Sequence, residues 1–405
     1  MISALRTPEG ERALATAAEL AGGDPLAAAA SLRTRGVPAD LAAAALTQAE
    51  LRRRAAGKFG ADAARMFFTR AGLEQATRAV VAARRAERLR AAGVRTLADL
   101  GCGIGADAIA AARAGIRVYA VEADPETAAV AAANMSALGL PVEVVRADAT
   151  TVDLSGVDAV FCDPARRAGG RRVFDPAAYS PPWDFVAALP TRVPRTVLKL
   201  APGIDHALVP PGAEAEWVSV AGEVVEAAVW CGPLAEVPRR ATLLSKEGPL
   251  VNALRIGRAP SKHLGAGVVG QLAGSGDARA PVGPMRRYLF DPDGAVVRAH
   301  LVAEFAATVG GTLADPDIAY VYADTAVSTP YARCFEILED LPFSLKRLRG
   351  LLRDRGVGRV EIRKRGSALE PDRLRRDLRL AGPSSATVVL TRVANRPTAL
   401  ICQPA

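Results

Sequence analysis

Apolar positions along this chain repeat with two periods, and the change of period divides it. Across residues 1–90 alanine and leucine return every three or four positions, the spacing of helices with one buried face. Thr7-Pro8 and Asp24-Pro25 each set a capping side chain before a proline, so each predicts a helix start. A long helix is predicted over about 72–92, carrying Arg78, Arg84, Arg85, Arg88 and Arg90. From 91 to 235 the pattern shortens to β-rich runs at 96–100, 118–122, 142–145, 159–162 and 196–200, separated by helix-like segments. This alternation predicts a doubly wound α/β domain around a mostly parallel sheet. Runs at 217–220 and 224–230 follow each other too closely for a crossover helix and predict an antiparallel closing hairpin.

Beyond 235 the pattern loosens. Runs at 241–245 and 251–256 flank Lys246-Glu247-Gly248, a predicted hairpin turn. The glycine-rich stretch 265–283 reads as a loop and 295–309 as one helix. A compact α/β pattern closes the chain: strands at 333–337, 360–364, 386–392 and 398–402, with helices after Pro342 and at Pro371. The first of these helices puts Leu345, Leu348, Leu351 and Leu352 on one face. The expected organisation is a helical region (1–90), an α/β domain (91–235), a mixed extension (236–330) and a small α/β domain (331–405).

Composition agrees with several folded domains: 405 residues, 50% hydrophobic and 23% charged, exclude a disordered or collagen-like chain. No window approaches the ~18 consecutive apolar residues of a membrane helix, and residues 1–10 lack the apolar core of a signal peptide. Cys102, Cys162, Cys231, Cys334 and Cys402 lie far apart with no CxxC pair, the usage expected of reduced thiols in a cytoplasmic protein. His206, His263 and His300 are scattered, so no metal site is expected. The net charge of +9 is unevenly divided: residues 1–90 carry +6, 91–343 carry −7, and 344–380 carry +8. A basic cluster of that density either meets a phosphate backbone or forms a solvated helical face.

The sharpest motif is Leu97-Ala98-Asp99-Leu100-Gly101-Cys102-Gly103-Ile104-Gly105-Ala106-Asp107, running from a predicted strand into a predicted helix. Glycines suit a tight turn where a ligand touches backbone, and Gly101-x-Gly103-x-x-Ala106 also fits a dinucleotide loop. Asp99 just before the glycines favours S-adenosylmethionine, whose amino group it can meet; a sulfonium ligand has no pyrophosphate needing a helix N-terminus. Glu122 ends the next strand, 23 residues after Asp99, near the ~20 expected for a carboxylate that accepts ribose hydroxyls. Asp148, after the third strand, is placed to accept the adenine amino group. With these features in register, residues 91–231 resemble the class I S-adenosylmethionine-dependent methyltransferases. The resemblance implies a Rossmann-like seven-stranded sheet with a reversed final hairpin, and S-adenosylmethionine as methyl donor.

After the fourth strand come Asp163-Pro164-Ala165-Arg166-Arg167. This resembles the Asp/Asn/Ser-Pro-Pro-aromatic motif of methyltransferases that modify exocyclic base amines. An aromatic amine is a poor nucleophile, and a carboxylate or amide oxygen plus the proline carbonyl accept its two protons so that its lone pair meets the methyl group. Asp163 and Pro164 match as catalytic residues; Ala165 and Arg166 depart from the motif, and Arg166 or Arg167 is expected to stack on a base or hold a phosphate. Ser180-Pro181-Pro182-Trp183 spells such a motif literally but follows no strand, and Ser180 reads as the cap of a helix through Leu189. Phe174, Tyr179 and Trp183 remain candidates for a stacking wall. Lys199, at the end of the fifth strand, opens onto the same edge as a candidate substrate contact.

Residues 331–405 resemble the THUMP-like domain of certain bacterial methyltransferases, in stretches such as Phe335-Glu336-Ile337, Pro342-Phe343-Ser344-Leu345-Lys346-Arg347 and Glu361-Ile362-Arg363-Lys364. That resemblance implies an RNA partner, tRNA or rRNA, with Lys346, Arg347, Arg363 and Lys364 as candidate contacts. The expected activity is therefore methylation of an exocyclic amine of RNA. A cofactor-binding RNA-binding protein without catalysis, or a methyltransferase for a small molecule or protein, are the alternatives.

Overall fold

In the computed structural model, residues 2–165, 167–168, 171–172, 179–246 and 267–405 are described. The chain opens with helices α1 (Ile2–Leu5), α2 (Pro8–Leu20), α3 (Pro25–Thr34) and α4 (Ala39–Phe59). The Thr7 hydroxyl accepts from the Gly10 amide at 3.1 Å and Asp24 from Leu26 at 3.1 Å, so both predicted starts are capped helix ends. The single helix expected over 72–92 is two helices, α5 (Arg70–Gln75) and α6 (Ala79–Ala91). Lys58 Nζ donates to the carbonyls of Leu73 (2.7 Å) and Glu74 (2.9 Å), which amides four residues on would need to continue the helix.

Next come β1 (Thr96–Leu100), α7 (Ala106–Arg113), β2 (Arg117–Glu122), α8 (Pro125–Leu138), β3 (Glu143–Arg146) and β4 (Ala159–Cys162). A two-residue ribbon, β5 (Arg167–Ala168) and β6 (Arg171–Arg172), precedes α9 (Trp183–Arg192), β7 (Thr196–Leu200), β8 (Glu214–Val220) and β9 (Glu223–Trp230). The first sheet continues with β10 (Arg239–Leu244) and β11 (Val268–Gly274). Its order is β11-β10-β8-β9-β7-β4-β1-β2-β3. Strands β3, β2, β1, β4 and β7 are parallel and β9 is antiparallel to both neighbours, which is the expected seven-stranded core with its reversed hairpin. Two strands extend it: β10 parallel to β8, and β11 antiparallel to β10.

Part of the stretch read as a glycine-rich loop is thus strand β11. Gly270 answers a packing demand there, because a Cβ would come within 2.9 Å of Pro330 Cγ. The predicted hairpin partner at 251–256 lies outside the described residues. The helix expected over 295–309 is broken into α10 (Gly294–Arg298) and α11 (Val302–Thr308), with His300 at φ +60° between them.

The second sheet is built from β12 (Tyr288–Pro292), β13 (Thr312–Leu313), β14 (Val321–Ala323), β15 (Ala332–Pro342), β16 (Val357–Lys364), β17 (Ser384–Val393) and β18 (Arg396–Pro404), in the order β13-β14-β12-β15-β18-β17-β16. The stretch 236–330 therefore divides between the two sheets. Helices α12 (Leu345–Asp354) and α13 (Pro371–Leu378) cover one face, burying Leu348, Leu352, Leu374 and Leu378 against Val388, Leu390 and Ile401.

Helix α6 lies on the first sheet through buried charge. Arg88 makes a two-pronged ion pair with Glu214 (2.7 and 2.6 Å) and reaches Glu216 at 3.3 Å, with its guanidinium 4.0 Å over the Trp230 ring. Arg240 meets Glu214 at 2.7 Å, and Trp230 Nε1 donates to Glu216 at 2.7 Å. Arg85 pairs with Asp107 and Glu226 over the Phe161 ring. These arginines anchor the N-terminal helices and leave no free basic face at Arg85 or Arg88.

Candidate active site

The carboxyl ends of β1, β2, β4 and β7 open at one edge of the sheet, where strand order reverses about β1, and a ligand crevice is expected there. From Gly101 to Gly105 the chain leaves β1 and enters α7. The Gly101 and Cys102 amides donate to the Val121 carbonyl at 2.9 and 3.0 Å, tying the loop to β2. Gly103, at φ +58°, faces open space: a Cβ there would meet nothing within 4 Å. Gly105, at φ +92°, caps α7, and a Cβ would come within 2.3 Å of Met135 Cε. The first glycine leaves room, and the second is required by its left-handed backbone, which L side chains rarely adopt.

Glu122 stands beside the loop. Its two carboxylate oxygens accept from the Gly103 amide (2.9 Å) and the Asp124 amide (3.0 Å). Asp99 is fully buried and neither of its oxygens has a hydrogen-bond partner. Burial first, then the charges of Asp107 and Asp163, push its carboxyl well above the usual range against the pull of Arg85 and Lys199. An orphaned buried carboxyl beside a glycine turn is the polar group a cationic ligand would complete. Asp148 is exposed and caps the turn at 149–151; Thr150 donates to its Oδ1 through amide (2.8 Å) and hydroxyl (2.7 Å).

Asp163 follows β4, and its carbonyl lies 3.2 Å from the position a Cβ on Gly101 would take, so the two loops touch. Its Oδ2 accepts from Lys199 Nζ at 2.5 Å. Lys199 Nζ also donates to Thr77 Oγ1 (3.0 Å), and Thr77 Oγ1 donates to Asp107 Oδ2 (2.6 Å). Burial pulls the Lys199 amine down, but Asp163, Glu226 and Asp107 outweigh it and hold Lys199 above its ordinary value, cationic at neutral pH. Lys199, expected to face substrate, is thus turned onto Asp163. Two further residues complete the site: Asp107 ends the glycine motif itself, and Thr77 comes from the helical region, where no sequence pattern marks it.

The two proline motifs are neighbours. Ala165 and Ser180 exchange backbone hydrogen bonds of 2.7 and 3.0 Å, so residues 179–183 run beside Asp163-Pro164. Ser180, expected as a helix cap, forms this bridge, and α9 begins at Trp183 with Pro182 as its cap. Tyr179 and Trp183 pack edge to face with ring centroids 6.0 Å apart. Arg166 and Phe174 lie outside the described residues, and Arg167 is placed only as backbone in β5.

In the C-terminal unit Lys346 and Arg347 are exposed in the first turn of α12. Arg363 pairs with Asp291 (2.5 Å) and Glu361 (2.7 Å), and Lys364 with Glu370 (2.9 Å), so these two do not extend a free cationic surface. Glu361 and Glu370 lie within the basic stretch itself, whereas Asp291 stands 72 residues before Arg363, invisible to a local count of charge.

The inner strand order and the glycine loop after β1 are those of a Rossmann-like methyltransferase fold. A methyltransferase-domain profile matches residues 97–167, a profile described as THUMP domain-like matches 332–404, and a domain of unknown function matches 1–55. An uncharacterized S-adenosylmethionine-dependent methyltransferase of Mycobacterium tuberculosis is 37% identical over 368 residues, covering 87% of this chain and 95% of the relative. The chain belongs to this family of S-adenosylmethionine-dependent methyltransferases. A crystal structure of a provisionally named methyltransferase from Porphyromonas gingivalis W83 shares the fold across 98% of both chains, with a TM-score of 0.70 at 21% identity. The cofactor is S-adenosylmethionine. No helix among the described residues is long and apolar enough to cross a membrane, and none of their His, Cys, Asp and Glu side chains cluster as a metal site.

Proposed function

We propose that this enzyme methylates an exocyclic base amine of RNA in the cytoplasm. The observation that carries the reading is the Asp163 carboxylate, fixed by a cationic Lys199 at 2.5 Å and set against the glycine loop. Asp99 answers the cofactor's ammonium group, Glu122 its ribose hydroxyls and Asp148 its adenine, with the open side of Gly103 admitting it. When bound, the cofactor supplies an electrophilic methyl group. Asp163 and the Pro164 carbonyl accept the hydrogens of the acceptor amine, which aims its lone pair and takes up the proton released on transfer. Tyr179 and Trp183, alongside these residues, supply the stacking face missing from Ala165-Arg166. The THUMP-like match at 332–404 and the exposed Lys346 and Arg347 support RNA as the partner.

Incubation with methyl-labelled cofactor and total cellular RNA tests the reading. Label in RNA with wild type, and none with Asp163→Ala at unchanged cofactor affinity, is the expected result. Label confined to protein or small molecules would replace RNA by another acceptor.

A further inference from the structure

Between α4 and α6 the chain forms a strap, residues 66–78, that lies across the glycine loop. One face of α4 grips it by its backbone. Gln48 exchanges hydrogen bonds with Phe68 (2.6 and 3.0 Å), Arg52 Nε donates to the Met66 carbonyl (2.9 Å), and Lys58 binds the carbonyls of Leu73 and Glu74. Its other side meets the cofactor loop. The buried Asn134 accepts from the Phe67 amide (2.6 Å) while donating to the carbonyls of Phe67 (3.1 Å) and Ile104 (2.9 Å). Gly72 lies so close to Ile104 that a Cβ would come within 2.5 Å of its Cγ2. The strap ends on Thr77, whose hydroxyl stands between Asp107 and Lys199.

We propose that this strap is a working wall of the catalytic site, and that Thr77 is a positioning residue acting through Lys199 on Asp163. The inference rests on the reading of Asp163 given above. A lysine ammonium has three donors and no acceptor, so its direction is set by what accepts from it. Thr77 Oγ1 spends its one proton on Asp107, which leaves its lone pairs toward Lys199 and fixes the direction of the hydroxyl. The ammonium held by Thr77 then points at Asp163 Oδ2 and orients the carboxylate. Asp107 is itself held by Arg85, so the chain of contacts ends on α6 and the sheet. This gives the N-terminal helices a part in the chemistry: α4 holds the strap, and the strap aims the carboxylate.

The test compares Thr77→Val, Thr77→Ser and Asp163→Ala in the full chain. The assay is transfer of labelled methyl to RNA from cells lacking the enzyme, with cofactor affinity measured by calorimetry. Thr77→Val should lower kcat by about ten- to a hundredfold, the worth of one hydrogen bond to a charged group. KM for RNA and cofactor affinity should stay at wild-type values, and Thr77→Ser should restore kcat. If Thr77→Val is insoluble, Thr77→Ala set against Thr77→Ser asks the same question. Wild-type kcat in Thr77→Val with an inactive Asp163→Ala would overturn the inference and leave the reading of Asp163 standing. A loss of cofactor affinity as large as the loss of kcat would also overturn it, making the strap a cofactor element alone. Full activity in Asp163→Ala would remove the reading of Asp163 and this inference together.

Discussion

Glu214→Gln isolates the charge that holds α6 to the sheet. The glutamate is fully buried, accepts from both Arg88 and Arg240, and also receives the Glu236 amide at 2.9 Å. Burial alone would raise its carboxyl, but the two guanidinium groups and the amide overcome this and hold it at about 2, against an ordinary 4.5. A lowered native value means stability fully present above the ordinary value and lost as pH falls through the native one. The window is therefore roughly pH 4.5 down to 2, and at ~1.4 kcal/mol per unit the charge contributes about 3 kcal/mol at neutral pH. Glutamine keeps the shape and one acceptor but leaves Arg88 with Glu216 at 3.3 Å and the Leu234 carbonyl, and Arg240 with Glu236; breaking a buried pair typically costs about 3–5 kcal/mol, and these remaining partners put the loss at the lower end. Urea unfolding followed by fluorescence of the tryptophan stacked on Arg88 provides the assay. At pH 7 the variant should be less stable than wild type by about 3 kcal/mol, with the gap closing as pH approaches 2. A gap below about 1 kcal/mol at pH 7, or one that persists unchanged at low pH, would refute the reasoning.

The cofactor pocket and the RNA surface give two further expectations. Glu122→Ala should weaken calorimetric S-adenosylmethionine affinity at least tenfold, and Gly103→Leu, which sends a side chain into open space, should do the same in a folded protein; unchanged affinity in both would misplace the pocket. Lys346→Ala with Arg347→Ala should reduce the slope of log affinity for RNA against log salt by up to about two units without touching cofactor affinity, and an unchanged slope would make these side chains a solvated face.

Fold class and cofactor loop were legible in the sequence because they depend on local period and on glycine at fixed offsets. Asp99, Glu122 and Asp163 stand at successive strand ends, and strand ends can be read from hydrophobic runs. What stayed hidden depends on contacts distant along the chain. The arginines of α6 look like a solvated basic face until Glu214, Glu216 and Glu226 arrive more than 120 residues later to bury them. Arg363 is silenced by Asp291, 72 residues earlier, in a stretch that had been read apart from the C-terminal domain. The break between α5 and α6 has the same origin, since Lys58 caps carbonyls 15 and 16 residues away. Strand β11 does not show in the sequence because its glycines, which by themselves predict a loop, serve close packing there.

The most direct test of the central claim is mass spectrometry of nucleosides from RNA of a strain lacking this enzyme. One nucleoside methylated on an exocyclic amine should disappear on deletion, return with the wild-type chain, and stay absent with Asp163→Ala. An unchanged nucleoside profile in the deletion strain, or full restoration by Asp163→Ala, would contradict the account.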